Sequence, residues 1–501
     1  MRKISLVTVL LAMLLGLIGN PIALASQDKE SVFPATLQGE DPQRVFSLGD
    51  DTSSGISFSQ LGIWPDKLCA STADPKCDFK NSGTRLENRI AATAILNVCS
   101  STENEDCIKS IEISRDGLNF SKLEFDKYVV GGTCDESASA GCAFPPDSSK
   151  KLPRGGNLSI WSEVIDGKAN ELKFLVNYGY QMNYERENNS FRINEMGLSI
   201  RPMKEIEVTR WDSLWFENGK SGIQFDYQPD VTMRATVHAS NTIAGWFRAR
   251  MQDINIDISA VNKRNSRIVV SGKSVTIPNF AIKREISGMS VKESALAEHF
   301  GWSKGVVGAA PGNSKIFEYL EYWRKALNDK AEFTNTQWSL NSTTWLSQNK
   351  CLNDTTKVVG VVSTNAMGFD SNTPKFQDGF LNYKVSGLHY SPDGVGLNLG
   401  TYDLVLRSDA ARCLYKFSSA PISATVSISG ADGNQNIATT LVSEKNGWLK
   451  MKAAGFTFSE KNIKVKLIQG SKTTITCVKA GLIKKVTGTL PKCPTGYKKK
   501  V

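Results

Sequence analysis

Residues 231–280 read VTMRATVHAS NTIAGWFRAR MQDINIDISA VNKRNSRIVV SGKSVTIPNF, and their period decides the class of fold. Val231, Met233, Ala235 and Val237 alternate with polar neighbours, and Ile254, Ile256 and Ile258 alternate with Asn255 and Asp257. A strand turns successive side chains to opposite faces, so this two-residue period lays one apolar row against a core and one polar row outward. Residues 267–280 predict two further strands joined around Gly272-Lys273. Forty glycines and frequent Ser, Thr and Asn supply the turns. The expected class is mainly β and multi-domain, with antiparallel sheets or sandwiches, a short helical insertion and disulfide-stapled loops.

The period lengthens over residues 291–300 and 314–331, where Ile316, Leu320, Trp323 and Leu327 recur at helical spacing and Glu321/Lys325 form an i,i+4 pair. This predicts the only sizeable helices. The alternating pattern returns over residues 335–470, with hairpin turns at Pro392-Asp393-Gly394 and Asp432-Gly433-Asn434. Turn signals at that spacing predict an immunoglobulin-like β-sandwich. The chain therefore divides into 1–25, a β-rich 26–285 of one or two domains, a helical 286–334, a β-sandwich 335–470 and a tail 471–501.

The N-terminus carries an export address. Arg2 and Lys3 precede an apolar run over residues 4–18, Pro21 breaks it, and Ala23-Leu24-Ala25 offers the small-x-small pattern of a signal peptidase site. Cleavage after Ala25 is expected, because the run is shorter than the roughly 20 apolar residues that span a bilayer. The mature chain is expected outside the cell or on its surface. Ten cysteines suit that oxidising destination. Cys69/Cys77, Cys99/Cys107 and Cys134/Cys142 each enclose seven polar, turn-forming residues, which predicts three local staples. Cys351/Cys413 and Cys477/Cys493 remain as the other pairs, the first expected to tie an early strand of the second β domain to a central one. Zinc is not expected, since its ligands sit closer together in sequence.

Charge is segregated. The chain is +10 and the signal segment removes two of those charges. Residues 471–501 hold Lys472, Lys479, Lys484, Lys485, Lys492, Lys498, Lys499 and Lys500 with no acidic residue, so residues 26–470 are neutral overall. Lysines packed onto a small disulfide-closed unit predict binding to a polyanion that weakens with salt. An anionic envelope polymer or lipid is the expected partner. Nucleic acid is not, because Tyr497 alone offers a ring for bases.

Cys477-Val478-Lys479, Lys484-Lys485-Val486-Thr487, Pro491-Lys492-Cys493-Pro494 and Gly496-Tyr497-Lys498 resemble a short C-terminal module that recurs on exported actinobacterial proteins of varied content. The stretch from SDAARCLYKFSSAPISATVSISG to EKNGWLKMKAAGFTFS is similar to a domain that precedes such tails. The resemblance implies a surface protein and assigns no catalytic residue.

Little in the chain points to catalysis. His238, His299 and His389 are the only histidines and none has a second nearby, which leaves no two-histidine metal pair. There is no Gly-x-Ser-x-Gly elbow. Gly219-Lys220-Ser221 and Gly272-Lys273-Ser274 lack the upstream glycine of a phosphate loop and read as turns, as does Ser114-Arg115-Asp116-Gly117. Glu185 with Glu187, or Asp212 with Glu217, could pair in a glycosidase cleft, and Trp211, Trp215 and Trp246 could stack on sugar. Surface charge and core packing account for them more simply. The preferred expectation is a non-enzymatic binding, adhesive or structural protein without cofactor or metal. The rival is a polysaccharide- or envelope-active hydrolase, which requires a cleft with convergent carboxylates.

Overall fold

The structure, a computed structural model, describes residues 44–45, 54–60, 63–80, 88–100, 105–129, 143–165, 167–206, 221–228, 230–283, 306–308, 317–343 apart from 319, 322–323 and 325–326, 347–370, 373–418, 422–430, 435–436, 439–458, 460–469, 473–479, 481–488, 491 and 493–500. The signal segment, Cys134, Cys142, residues 291–300, Ile316, Trp323, Lys325, the turn at Asp432, and Trp211, Asp212, Trp215, Glu217, His299, Lys472 and Lys492 lie outside the described residues.

The chain is mainly β. One continuous sheet runs in the order Ile63–Cys69, Gly55–Gln60, Asn88–Ile95, Lys168–Glu185, Ser190–Ile206, Phe333–Thr343, Gly245–Ala260, Val358–Thr364, Leu399–Arg407, Trp448–Thr457 and Thr439–Lys445. Along that order every pair is antiparallel except Gly245–Ala260 against Val358–Thr364, which is parallel. The two faces of this sheet are covered at different ends. On one face lies a second sheet of Cys107–Ser114, Thr232–Ser240 and parts of Asn265–Asn279 and Gly245–Ala260. Between them Met233, Ala235 and Val237 meet Tyr178, Tyr180, Leu198 and Trp338. On the opposite face, further along, lies a sheet containing Phe380–Ser386, Lys461–Gln469 and Ile422–Gly430. There Tyr383, Val465 and Ile428 pack on Trp246, Val362 and Leu404.

Two long strands make this possible by turning corners. In Gly245–Ala260 the register with Asn265–Asn279 shifts between Gln252 and Asn255, and Asp253 takes a positive φ of 56°. Such a bulge bends a strand and increases its twist. The predicted hairpin around Gly272-Lys273 is instead one strand, Asn265–Asn279, which pairs with residues 251–260 first and with residues 333–337 afterwards. Gly272 serves close packing there, since a Cβ would stand 2.8 Å from the Gln252 carbonyl oxygen.

Four other expectations change. Phe333–Thr343, read as the opening of the second β domain, pairs with Ser190–Ile206, Gly245–Ala260 and Asn265–Asn279 and puts Trp338 and Leu340 into the first core. A helix, Ser408–Tyr415, stands inside the second β region, with Asp409 in its first turn and Ala410, Ala411 and Leu414 buried. Cys351 sits in the 3-10 turn Lys350–Leu352 and pairs with Cys413 of that helix, so the bridge joins a turn to a helix rather than two strands. In the predicted helical insertion, Phe317, Glu318, Leu320, Glu321 and Arg324 are helical, and the chain turns at residues 327–329. Val306–Gly308, within the same predicted segment, is a strand paired with Ala281–Lys283.

Candidate functional site

The tail forms its own sheet. Thr473–Lys479 pairs antiparallel with Leu482–Gly488 and with the short strand Lys498–Lys499. Gly481, at φ 82°, makes the hairpin turn, a conformation in which glycine carries no Cβ penalty. Cys477 is fully buried and bonded to Cys493, which fastens the returning segment to the central strand. Six of the eight predicted lysines are described: Lys479, Lys484, Lys485, Lys498, Lys499 and Lys500, all exposed. The register divides them. Lys484 and Lys499 lie opposite Cys477 on its two sides, while Lys485 lies opposite Thr476, one step along and on the other face. The cations therefore ring a narrow sheet instead of forming one flat patch.

A feature of this hairpin that sequence reasoning missed is its end. Leu482 and Ile483 follow the turn and are each 63% exposed. Adjacent strand residues face opposite ways, so each face of the hairpin ends in a bare aliphatic group backed by lysine. The signal was present, since two apolar residues stand between a turn glycine and Lys484-Lys485.

The other predicted cysteine pairs are partly visible. Cys69–Cys77 and Cys99–Cys107 are local staples, and no free cysteine occurs among the described residues. In the first loop the Asp74 carboxylate accepts from the backbone N–H of Ala70 and Lys76, which holds its pKa below the ordinary range. Cys99, Cys107 and His238 stand within 4.8 Å of one another, but sulfurs joined in a disulfide offer no thiolate to a metal. His389 is built into the fold, its Nδ1 being 2.6 Å from the Phe458 carbonyl oxygen.

Two clefts bear on the hydrolase alternative. The larger, about 860 Å³, lies beside the helix Ser408–Tyr415 and is lined by Arg407, Asp409, Arg412, Glu444 and Trp448 among others. Its carboxylates are engaged: Arg412 pairs with Glu444 at 2.8 Å, and Arg407 pairs with Asp409. These guanidiniums hold Glu444 and Asp409 below the usual carboxylate range, the reverse of what a general acid needs. The smaller, about 390 Å³, is lined by one carboxylate, Glu195, which lies 3.8 Å from Arg248. Among the described residues the carboxylates of both clefts are paired with arginine, whereas glycoside hydrolysis uses two carboxyls flanking the bond it breaks. Glu185 pairs with Arg192 at 2.5 Å, and Trp246 is buried with its indole N–H donating to the Leu352 carbonyl.

Two other carboxyls hold their protons unusually far toward neutrality. Burial pushes Asp106, which accepts from Asn265 Nδ2, up to about 6, and Asp403 up to about 7. Neither lines either cleft. Among the described residues no helix is long and apolar enough to cross a membrane. No protein-family model, curated protein or solved structure matches the chain.

Proposed function

We propose that this is an exported, envelope-associated, non-enzymatic protein with a binding, adhesive or structural role, attached through its cationic terminal hairpin to an anionic envelope polymer or lipid. The observation that carries this reading is the ring of exposed lysines on a small disulfide-closed sheet, in a chain whose remaining mature part is neutral. A cluster of that kind attracts a polyanion over about a Debye length, roughly 10 Å at 0.1 M salt. The bare Leu482 and Ile483 favour lipid over polymer, because aliphatic groups gain by leaving water for the headgroup boundary while the lysines remain among anionic headgroups. The signal segment, the disulfides and the resemblance of the tail to modules of exported actinobacterial proteins support the compartment. Among the described residues the pairing of Glu444 with Arg412 and of Asp409 with Arg407 favours this reading over the hydrolase alternative.

Fractionation of native cells tests the assignment. The mature protein, beginning at Ser26, should sediment with envelopes in low salt and be released by high salt. Recovery in the cytosol, or with the leader intact, contradicts it.

A further inference from the structure

The smaller cleft lies over a stretch of the long sheet that is half-exposed among the described residues. Ile95, Gly179, Gly197, Asn341, Arg248 and Val362 are successive cross-strand partners, forming one row across five neighbouring strands and onto a sixth. Cross-strand partners point to the same face. At one end Ile95 is buried in a small apolar cluster with Leu158, Ile160, Leu175 and Met203. At the other end Val362 is buried in the second core. Between these two covered ends the parallel row Asn177, Ser199 and Ser339 runs beside it, half-exposed among the described residues, and its next partner, Arg250, is already covered by Phe369.

The floor is open at Gly197. A glycine inside a strand weakens it relative to alanine, and often marks a bulge, a close backbone approach or a close ligand approach. Gly179, its partner, is explained by packing, because a Cβ there would lie 2.6 Å from the Ala94 carbonyl oxygen. Gly197 is not: its φ lies outside the left-handed region, and a Cβ would meet no atom within 4 Å. The nearest register shift lies between Ile193 and Glu195. Gly197 therefore leaves open space over the floor of the trough, where a ligand has room to approach the backbone.

The geometry points to a binding site for a neutral, hydroxyl-rich ligand, a segment of carbohydrate. The trough, about 390 Å³, falls within the range of small-molecule sites. Asn177, Gln181, Ser199, Ser339 and Asn341 line it. Amides and hydroxyls both donate and accept, and so does each hydroxyl of a sugar. Among the described residues Glu195 and Arg201 are the charged groups of the lining, Glu195 is paired with the neighbouring Arg248, and the other polar groups are uncharged. With Glu195 the one carboxyl among its described lining residues, the trough is built to recognise the ligand.

The test is titration of the full mature protein with soluble oligomers of glucose, mannose, galactose and N-acetylglucosamine, at low and high salt. At least one probe should bind, with an affinity indifferent to salt, and Gly197→Leu should weaken it by 10-fold or more without lowering the melting temperature. Asn341→Ala, which leaves the backbone unchanged, should weaken the same probe and decides the matter if Gly197→Leu folds poorly. Absence of binding by the unaltered protein at millimolar concentration, or equal binding by the substituted forms, overturns the assignment. Envelope attachment through the tail is salt-sensitive and is read separately, so either site can fail alone.

Discussion

Arg250 lays its guanidinium carbon 4.3 Å from the ring centre of Phe369, joining a strand of the first sandwich to the facing sheet of the second. The same guanidinium donates from Nη1 to the carbonyl oxygens of Thr364 and Ala366, each at 2.7 Å. It is 8% exposed, and burial pushes its pKa down to about 10, which leaves it charged at neutral pH. Charge-assisted hydrogen bonds contribute about 1.5–3 kcal/mol each, and carbonyls left buried without a donor add to the loss. Arg250→Met should therefore lower unfolding stability by roughly 3–5 kcal/mol. Urea denaturation reads this directly, and a loss below about 1 kcal/mol would show that the two sandwiches do not depend on the contact.

Asp403 makes stability depend on pH. The backbone N–H of Asp253, at the bulge, donates to its Oδ1 at 3.1 Å, and Lys452 pairs with Asp253 at 2.6 Å. Burial raises the Asp403 carboxyl from 3.8 to about 7. Below pH 3.8 it is protonated in both folded and unfolded chains and its ionisation costs nothing. As pH rises toward 7 the unfolded chain releases the proton while the folded chain retains it, so stability falls, and above that the loss is complete. The full loss is on the order of 4 kcal/mol. Asp403→Asn keeps an acceptor for Asp253 and should raise the melting temperature above pH 7, with the gain shrinking toward pH 4. A gain that is uniform across pH contradicts the account.

Covalent structure gives a third prediction. Non-reducing peptide mapping should find five disulfides, including Cys134–Cys142, with no cross-link between the three short loops. Replacing Cys351 and Cys413 by serine opens a loop with a sequence separation of 62. In the chain-entropy model that should cost about 4 kcal/mol. Unchanged stability on chemical denaturation would refute it.

The strands at residues 231–237 and 254–258 were legible because burial on one face imposes a two-residue period, and Met233, Ala235, Val237, Ile254 and Ile256 are buried as that period requires. The shared sheet was not. Its parallel pairing joins residues 245–249 to residues 358–363, and local sequence carries no register for so distant a partner. Gly272 looked like a hairpin because a glycine at a corner and a glycine in a turn leave the same local mark. The helix Ser408–Tyr415 is too short for its period to stand out, although Asp409 and Ala410-Ala411 were there to be used. The tail lysines were legible as composition, but their division between two faces depends on register. The trough was invisible because its deciding residue, Gly197, has no side chain and its lining comes from strands far apart in sequence.

The hairpin end separates lipid from polymer. Leu482→Ser with Ile483→Ser should leave the fold intact, since both side chains already stand in water. Binding to vesicles containing anionic lipid should fall several-fold, while retention on a soluble anionic polysaccharide such as heparin stays unchanged. Equal losses on both supports would show that the aliphatic pair does not enter a lipid surface.

Anchoring of the protein through the charge of its tail is tested by a pull-down on purified envelopes over a salt series. Full-length mature protein and a form lacking residues 471–501 are compared, with circular dichroism confirming that the shortened form keeps its β structure. Full-length protein should bind at low salt and be progressively released as salt rises, and the shortened form should not bind. Equal binding by both forms, or binding indifferent to salt, contradicts it and puts attachment in the β domains.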